Sequence, residues 1–105
     1  MAPIAEVALD VFGSDEKMWA RLYAPEADGR DWACAFEIDA PIAVQRTIYG
    51  VSSMQALVLG LKTLAVYLYG SDLYRNNQLG LHGEFGGHLS IPAPSELLKD
   101  APFPF

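Results

Sequence analysis

Apolar and polar positions alternate with a period of two along the first half of the chain. Ala5, Val7, Leu9 and Val11 interleave with Glu6, Ala8 and Asp10, which predicts a half-buried strand over residues 4–12. Gly13-Ser14-Asp15 reads as a turn of hairpin length. The alternation resumes over 17–24, with Met18, Ala20 and Leu22 opposing Lys17, Trp19, Arg21 and Tyr23. Residues 25–31 read as a polar loop. A third strand follows, with Trp32, Cys34, Phe36 and Ile38 inward and Ala33, Ala35, Glu37 and Asp39 outward. Ala40-Pro41 breaks it, and a fourth strand over 44–51 sets Val44, Arg46 and Ile48 against Gln45, Thr47 and Tyr49. Consecutive strands on short turns predict an antiparallel meander.

The period then changes. From Ser52 to Tyr69 apolar residues recur at helical spacing, and Ser52 followed by Gln55 fits a capping box. Leu57, Leu61, Leu64, Ala65 and Leu68 form one stripe, predicted to face the sheet. Leu59, Val66 and Tyr69 lie off it and form a second apolar flank. Gly60 costs about 1 kcal/mol relative to alanine inside a helix, so it predicts a close backbone approach there. Gly70-Ser71-Asp72 ends the helix. Beyond it, Leu79-Gly80-Leu81 reads as extended and His88-Leu89-Ser90-Ile91 as a short strand, giving a small C-terminal hairpin around Gly83, Gly86 and Gly87. The proline-rich stretch from Pro92 to Phe105 reads as irregular, with Phe103 and Phe105 as packing anchors. The predicted fold is α+β: a four-stranded antiparallel meander, one long helix on one face and a short C-terminal hairpin, in a single domain over 1–105.

Composition narrows the partners. Of 105 residues, 51% are apolar and 19% charged, less charge than the roughly 25% of typical soluble domains. A small body so built leaves apolar surface over, and self-association, as a dimer, is the expected way to bury it. Thirteen acidic against seven basic residues give a net charge of −6. Such a balance offers no basic stripe for nucleic acid or for anionic membranes. Lys62 interrupts the apolar helix, so it is too short to span a bilayer. Met1 to Glu6 carries no basic or apolar region of a secretory signal, and Cys34 has no partner for a disulfide. These features together predict a cytoplasmic protein.

Candidate chemistry is sparse. His82, Glu84 and His88 make the densest set of metal ligands, and two histidines with a carboxylate could hold zinc. The spacing matches no metal motif, and the plain reading is a turn with two surface histidines. Gly83, Gly86 and Gly87 lack the lysine of a phosphate-binding loop and read as turn glycines. Cys34 shares its inward side with Trp32, Phe36 and Ile38 and reads as core, not nucleophile. Arg46 is expected to reach the rim or to pair with Glu37 or Asp39. Trp19, Tyr23 and Tyr49 lie on strand faces opposite the predicted core, and Tyr67, Tyr69 and Tyr74 add to the aromatic set. Such residues favour surfaces half apolar and half wet, so Trp19, Tyr23 and Tyr49, with Leu59, Val66 and Tyr69, are the candidate interface.

Trp32-Ala33-Cys34, the run from Ile48-Tyr49-Gly50-Val51-Ser52-Ser53 to Gln55-Ala56-Leu57, and Gly86-Gly87-His88-Leu89 before a proline-containing tail resemble a family of small bacterial domains of unknown function. The likeness spans residues 4 to 105 and implies a fold and a bacterial origin, with no catalytic residue to carry over. The expected function is a non-enzymatic interaction module without a cofactor, one that self-associates and has scope for a separate protein partner. The alternatives are a ligand- or metal-binding enzyme using His82, Glu84 and His88, and an immunity-type protein that neutralises a toxin.

Overall fold

The structure is a computed structural model and describes residues 2–93. Its elements run β1 (Ala5–Val11), β2 (Met18–Leu22), β3 (Glu26–Asp28), β4 (Asp31–Ile38), β5 (Val44–Gly50), α1 (Ser53–Tyr69), α2 (Asp72–Arg75), β6 (Leu79–Leu81) and β7 (Glu84–Phe85). The predicted meander is present: β1, β2, β4 and β5 pair in that order, all antiparallel. The C-terminal hairpin extends the sheet on the β1 side, where β6 pairs with Asp10 and Val11. β3 pairs with the first half of β4 and β2 with the second half, so the two lie along the same side of β4.

That short strand occupies what the sequence reads as a loop. Asp28-Gly29-Arg30-Asp31 closes a two-residue hairpin with Gly29 at φ +63°, the conformation glycine adopts at least cost. The Asp-Gly pair was the signal for it.

The strands separate their faces as the alternation predicts. Leu9, Met18, Ala20, Leu22, Cys34, Phe36 and Ile38 are buried under the helix layer, joined by Leu64, Leu68, Leu79 and Leu89. Truncating a fully buried leucine in such a core costs about 2–5 kcal/mol. At the start of α1, Ser52 Oγ accepts from the Gln55 amide at 3.0 Å. The Gln55 side chain accepts from the Val51 amide at 2.7 Å, one residue before the reciprocal partner the capping box predicts.

The buried residues of α1 are Ala56, Gly60, Leu64, Ala65 and Leu68, with Leu57 and Leu61 half-buried beside them. The helix is thus rolled so that Ala56 and Gly60, both small, come close to the sheet. A Cβ built on Gly60 would sit 2.9 Å from Cys34 Sγ, and one on Gly50 would sit 2.5 Å from the Ala56 amide nitrogen. Both glycines are sites of close approach, as expected for Gly60. Packed this way, α1 lies over β4 and β5 more than over β2.

After α1 the structure departs from expectation in detail. Asp72–Arg75 forms one helical turn, capped by Ser71, whose Oγ accepts from the Tyr74 amide. The second strand of the hairpin is Glu84–Phe85, not His88–Ile91, because the turn falls at His82-Gly83 where both residues take positive φ. Leu89 is instead a core residue. Tyr69 clamps this segment by accepting from the Leu89 amide and donating to the Ile91 carbonyl. Phe103 and Phe105 lie outside the described residues.

Candidate functional site

With α1 on one face, the other face of the sheet has no layer of described residues over it. Strand alternation and register decide what it carries: Glu6, Ala8 and Asp10 from β1, Trp19 and Arg21 from β2 followed by Tyr23, Ala33, Ala35 and Glu37 from β4 followed by Asp39, and Gln45, Thr47 and Tyr49 from β5. Rows across the strands set Arg21 beside Glu37 and Glu37 beside Gln45, and Ala35 beside Thr47. The small Ala35 between larger neighbours makes an open cleft of about 480 Å³, walled by Tyr23, Glu37, Gln45 and Thr47.

Arg21 is the hub of this face. Its guanidinium lies 2.8 Å from Asp39, 3.5 Å from Glu6 and 3.6 Å from Glu37, and 5.7 Å from the centre of the Trp19 ring. The Tyr23 hydroxyl donates to Glu37, and the Gln45 amide donates to the other Glu37 oxygen at 3.0 Å. These donors stabilise the carboxylate form. The Tyr23 hydroxyl, the Gln45 amide and Arg21 hold Glu37 below its ordinary range, and Arg21 does the same for Asp39. Hydrogen bonding to Glu37 raises Tyr23, and Asp39 keeps Arg21 more firmly protonated. The charges do not cancel: three carboxylates surround one cation.

A second charged cluster closes one end. Asp10 pairs with Lys17 and accepts from the Gly83 amide at 2.7 Å, and these two contacts hold its carboxyl below the usual range. It ties the turn after β6 to β1.

The sequence-derived candidates scatter. His82 and Glu84 are exposed on the β6–β7 hairpin, and exposed His88 accepts from the Ser90 amide through Nδ1. Among the described residues no three of His, Cys, Asp and Glu are placed to hold a metal ion. Trp19, Tyr23 and Tyr49 share the open face. Val66 is exposed on α1 and Leu59 half-buried, whereas Tyr69 uses its hydroxyl on the C-terminal segment and its ring against Tyr74 at 5.0 Å. Burial raises the Cys34 thiol, which donates to the Tyr23 carbonyl.

Arg46 takes neither of its expected carboxylates. It projects to the helix side, donates to the Tyr67 hydroxyl and lies 5.9 Å from that ring's centre. Arg21 takes Glu37 and Asp39, because position 21 shares their face and position 46 does not. Strand parity was the signal that distinguishes the two arginines.

Residues 6–93 match the model of a family described as Domain of unknown function (DUF6968). No curated protein and no solved structure matches the chain.

Proposed function

We propose that this chain, which belongs to the DUF6968 family, is a non-enzymatic protein-interaction module that receives a cationic segment of a protein partner on its open sheet face. The observation that carries the reading is the composition of that face: Trp19, Tyr23 and Tyr49 around alanine-floored relief, with Glu6, Glu37 and Asp39 exceeding Arg21 in charge. Aromatic rings and surplus carboxylates suit lysine and arginine side chains. The same charge disfavours pairing this face with a copy of itself.

Catalysis fits the face poorly. Glu37 is held ionised by its neighbours and Tyr23 is committed to it, so neither is poised to exchange a proton near neutral pH. The buried, raised Cys34 thiol is no better as a nucleophile. A buried free thiol and the absence of any helix long and apolar enough to cross a membrane among the described residues are compatible with the bacterial cytoplasm as its setting.

The test is photo-crosslinking in cells from a benzoylphenylalanine at Ala8, on the open face, against one at exposed Asp72. Discrete heteromeric adducts from position 8, weakened by Glu37→Gln, are expected. Equal yields from the two positions would overturn the reading.

A further inference from the structure

The short strands β3 and β7 each pair on one side only, and two longer stretches of edge, on β1 and β5, also have no described strand beside them. β1 is open over Ala5–Leu9, but β6 occupies its edge at Asp10 and Val11. β5 pairs with β4 along Val44–Gly50, and no described strand lies on its far side. Unpaired strand backbone is a ready template for a further strand.

Hydrogen-bond parity defines what β5 offers. Across the β2–β4 ladder the Tyr23 amide donates to the Ala35 carbonyl, and the Asp39 amide donates to the Trp19 carbonyl. The odd residues of β4 therefore bond towards β2 and its even residues towards β5. By the register Phe36–Arg46, the even residues of β5 bond inward. Gln45, Thr47 and Tyr49 direct their amide and carbonyl groups out of the sheet.

We infer that a second copy of this chain adds to the β5 edge, antiparallel, with the two-fold axis at Thr47. Thr47 then meets Thr47 of the second copy and Gln45 meets its Tyr49, giving three hydrogen-bonded pairs of two bonds each. The β1 edge offers only Glu6 and Ala8 for the same purpose. No acidic residue and no proline lies within β5 to block approach, and its one charge, Arg46, is engaged with Tyr67. The apolar surface agrees. Of six exposed large hydrophobic residues among those described, Tyr49 (54%), Val51 (77%) and Met54 (70%) cluster at the end of β5 and the start of α1. In this register the end of one β5 meets the beginning of the other, setting Val51 against Ala43 and Gly50 against Val44. The pairing leaves the open face free and makes it continuous across two copies, so it stands apart from the partner proposed there.

Amide hydrogen exchange across a protein dilution series tests this. Exchange at Gln45, Thr47 and Tyr49 should slow about tenfold or more as sedimentation shows dimer forming, while Arg46 and Ile48 stay protected throughout. Thr47→Pro, which removes an outward N–H and spares the β4 ladder, should abolish the dimer. Should that variant fail to fold, the wild-type series decides alone. A monomer at every concentration, a dimer whose odd-numbered amides exchange unchanged, or odd-numbered amides protected even in the monomer would each overturn the inference. The last outcome would mean that residues 94–105 or a different protein's strand covers the edge. None of these outcomes bears on crosslinking from Ala8.

Discussion

Glu37 shows how much one side chain's surroundings decide. It accepts from Tyr23 and Gln45 and faces Arg21, and all three favour its ionised form. A carboxyl whose folded pKa lies below its unfolded value, about 4.3 for glutamate, stabilises the fold at every pH above that value. This contribution is lost as pH falls through the lower folded value. Asp39, lowered by Arg21, acts in the same window. Thermal melts should therefore show Glu37→Gln less stable than wild type at neutral pH, with the gap closing below about pH 4. Parallel curves would show that the network adds nothing. At this scale the sequence made burial legible and partnership less so. Cys34 and Phe36 read as core from alternation alone. The pairing of Arg21 with Glu37 needed the strand register, which depends on turn geometry that single residues do not announce.

Between elements, the decisive contact is α1 on β4 at Gly60 and Cys34. Replacing Gly60 by alanine gains about 1 kcal/mol of helix propensity. The new methyl would also stand 2.9 Å from Cys34 Sγ, which is itself bonded to the Tyr23 carbonyl. Overpacking of this kind costs about 1–3 kcal/mol, so the clash wins. Gly60→Ala should be destabilised by about 1 kcal/mol, and Cys34→Ala should cost less in that background than in wild type, because the shorter side chain makes room. Denaturant melts of the four proteins measure this, and additive effects would rule the contact out. The sequence located this contact through an unfavourable residue kept mid-helix. The predicted stripe does face the core, with Leu64, Ala65 and Leu68 buried and Leu57 and Leu61 packed beside them. Ala56 joins it unannounced, because hydrophobicity weights leucine over the small residues that permit closest approach. β7 was misplaced for a related reason. His88–Ile91 looks like a strand, yet Leu89 is buried through Tyr69 and the core, not through a ladder.

For the molecule as a whole, the one-sided arrangement matters most. The long helix α1 covers β4 and β5, which leaves one charged, aromatic sheet face and, on β5, one strand edge without acidic residues. Two surfaces so different respond differently to salt. Between about 0.1 M and about 1 M salt the Debye length shrinks from about 10 Å to about 3 Å. Attraction of a cationic segment to Glu6, Glu37 and Asp39 is screened over that range, since these carboxylates are partly exposed. Backbone pairing and apolar contact at the β5 edge are not. Heteromeric crosslinking from Ala8, repeated in lysate, should therefore fall steeply with added salt, while the dimerisation constant from sedimentation should change by less than about twofold. If both fell together, one electrostatic surface would serve both associations, and the division of labour between face and edge would be wrong. If neither fell, the surplus carboxylates of the open face would not be what attracts the partner.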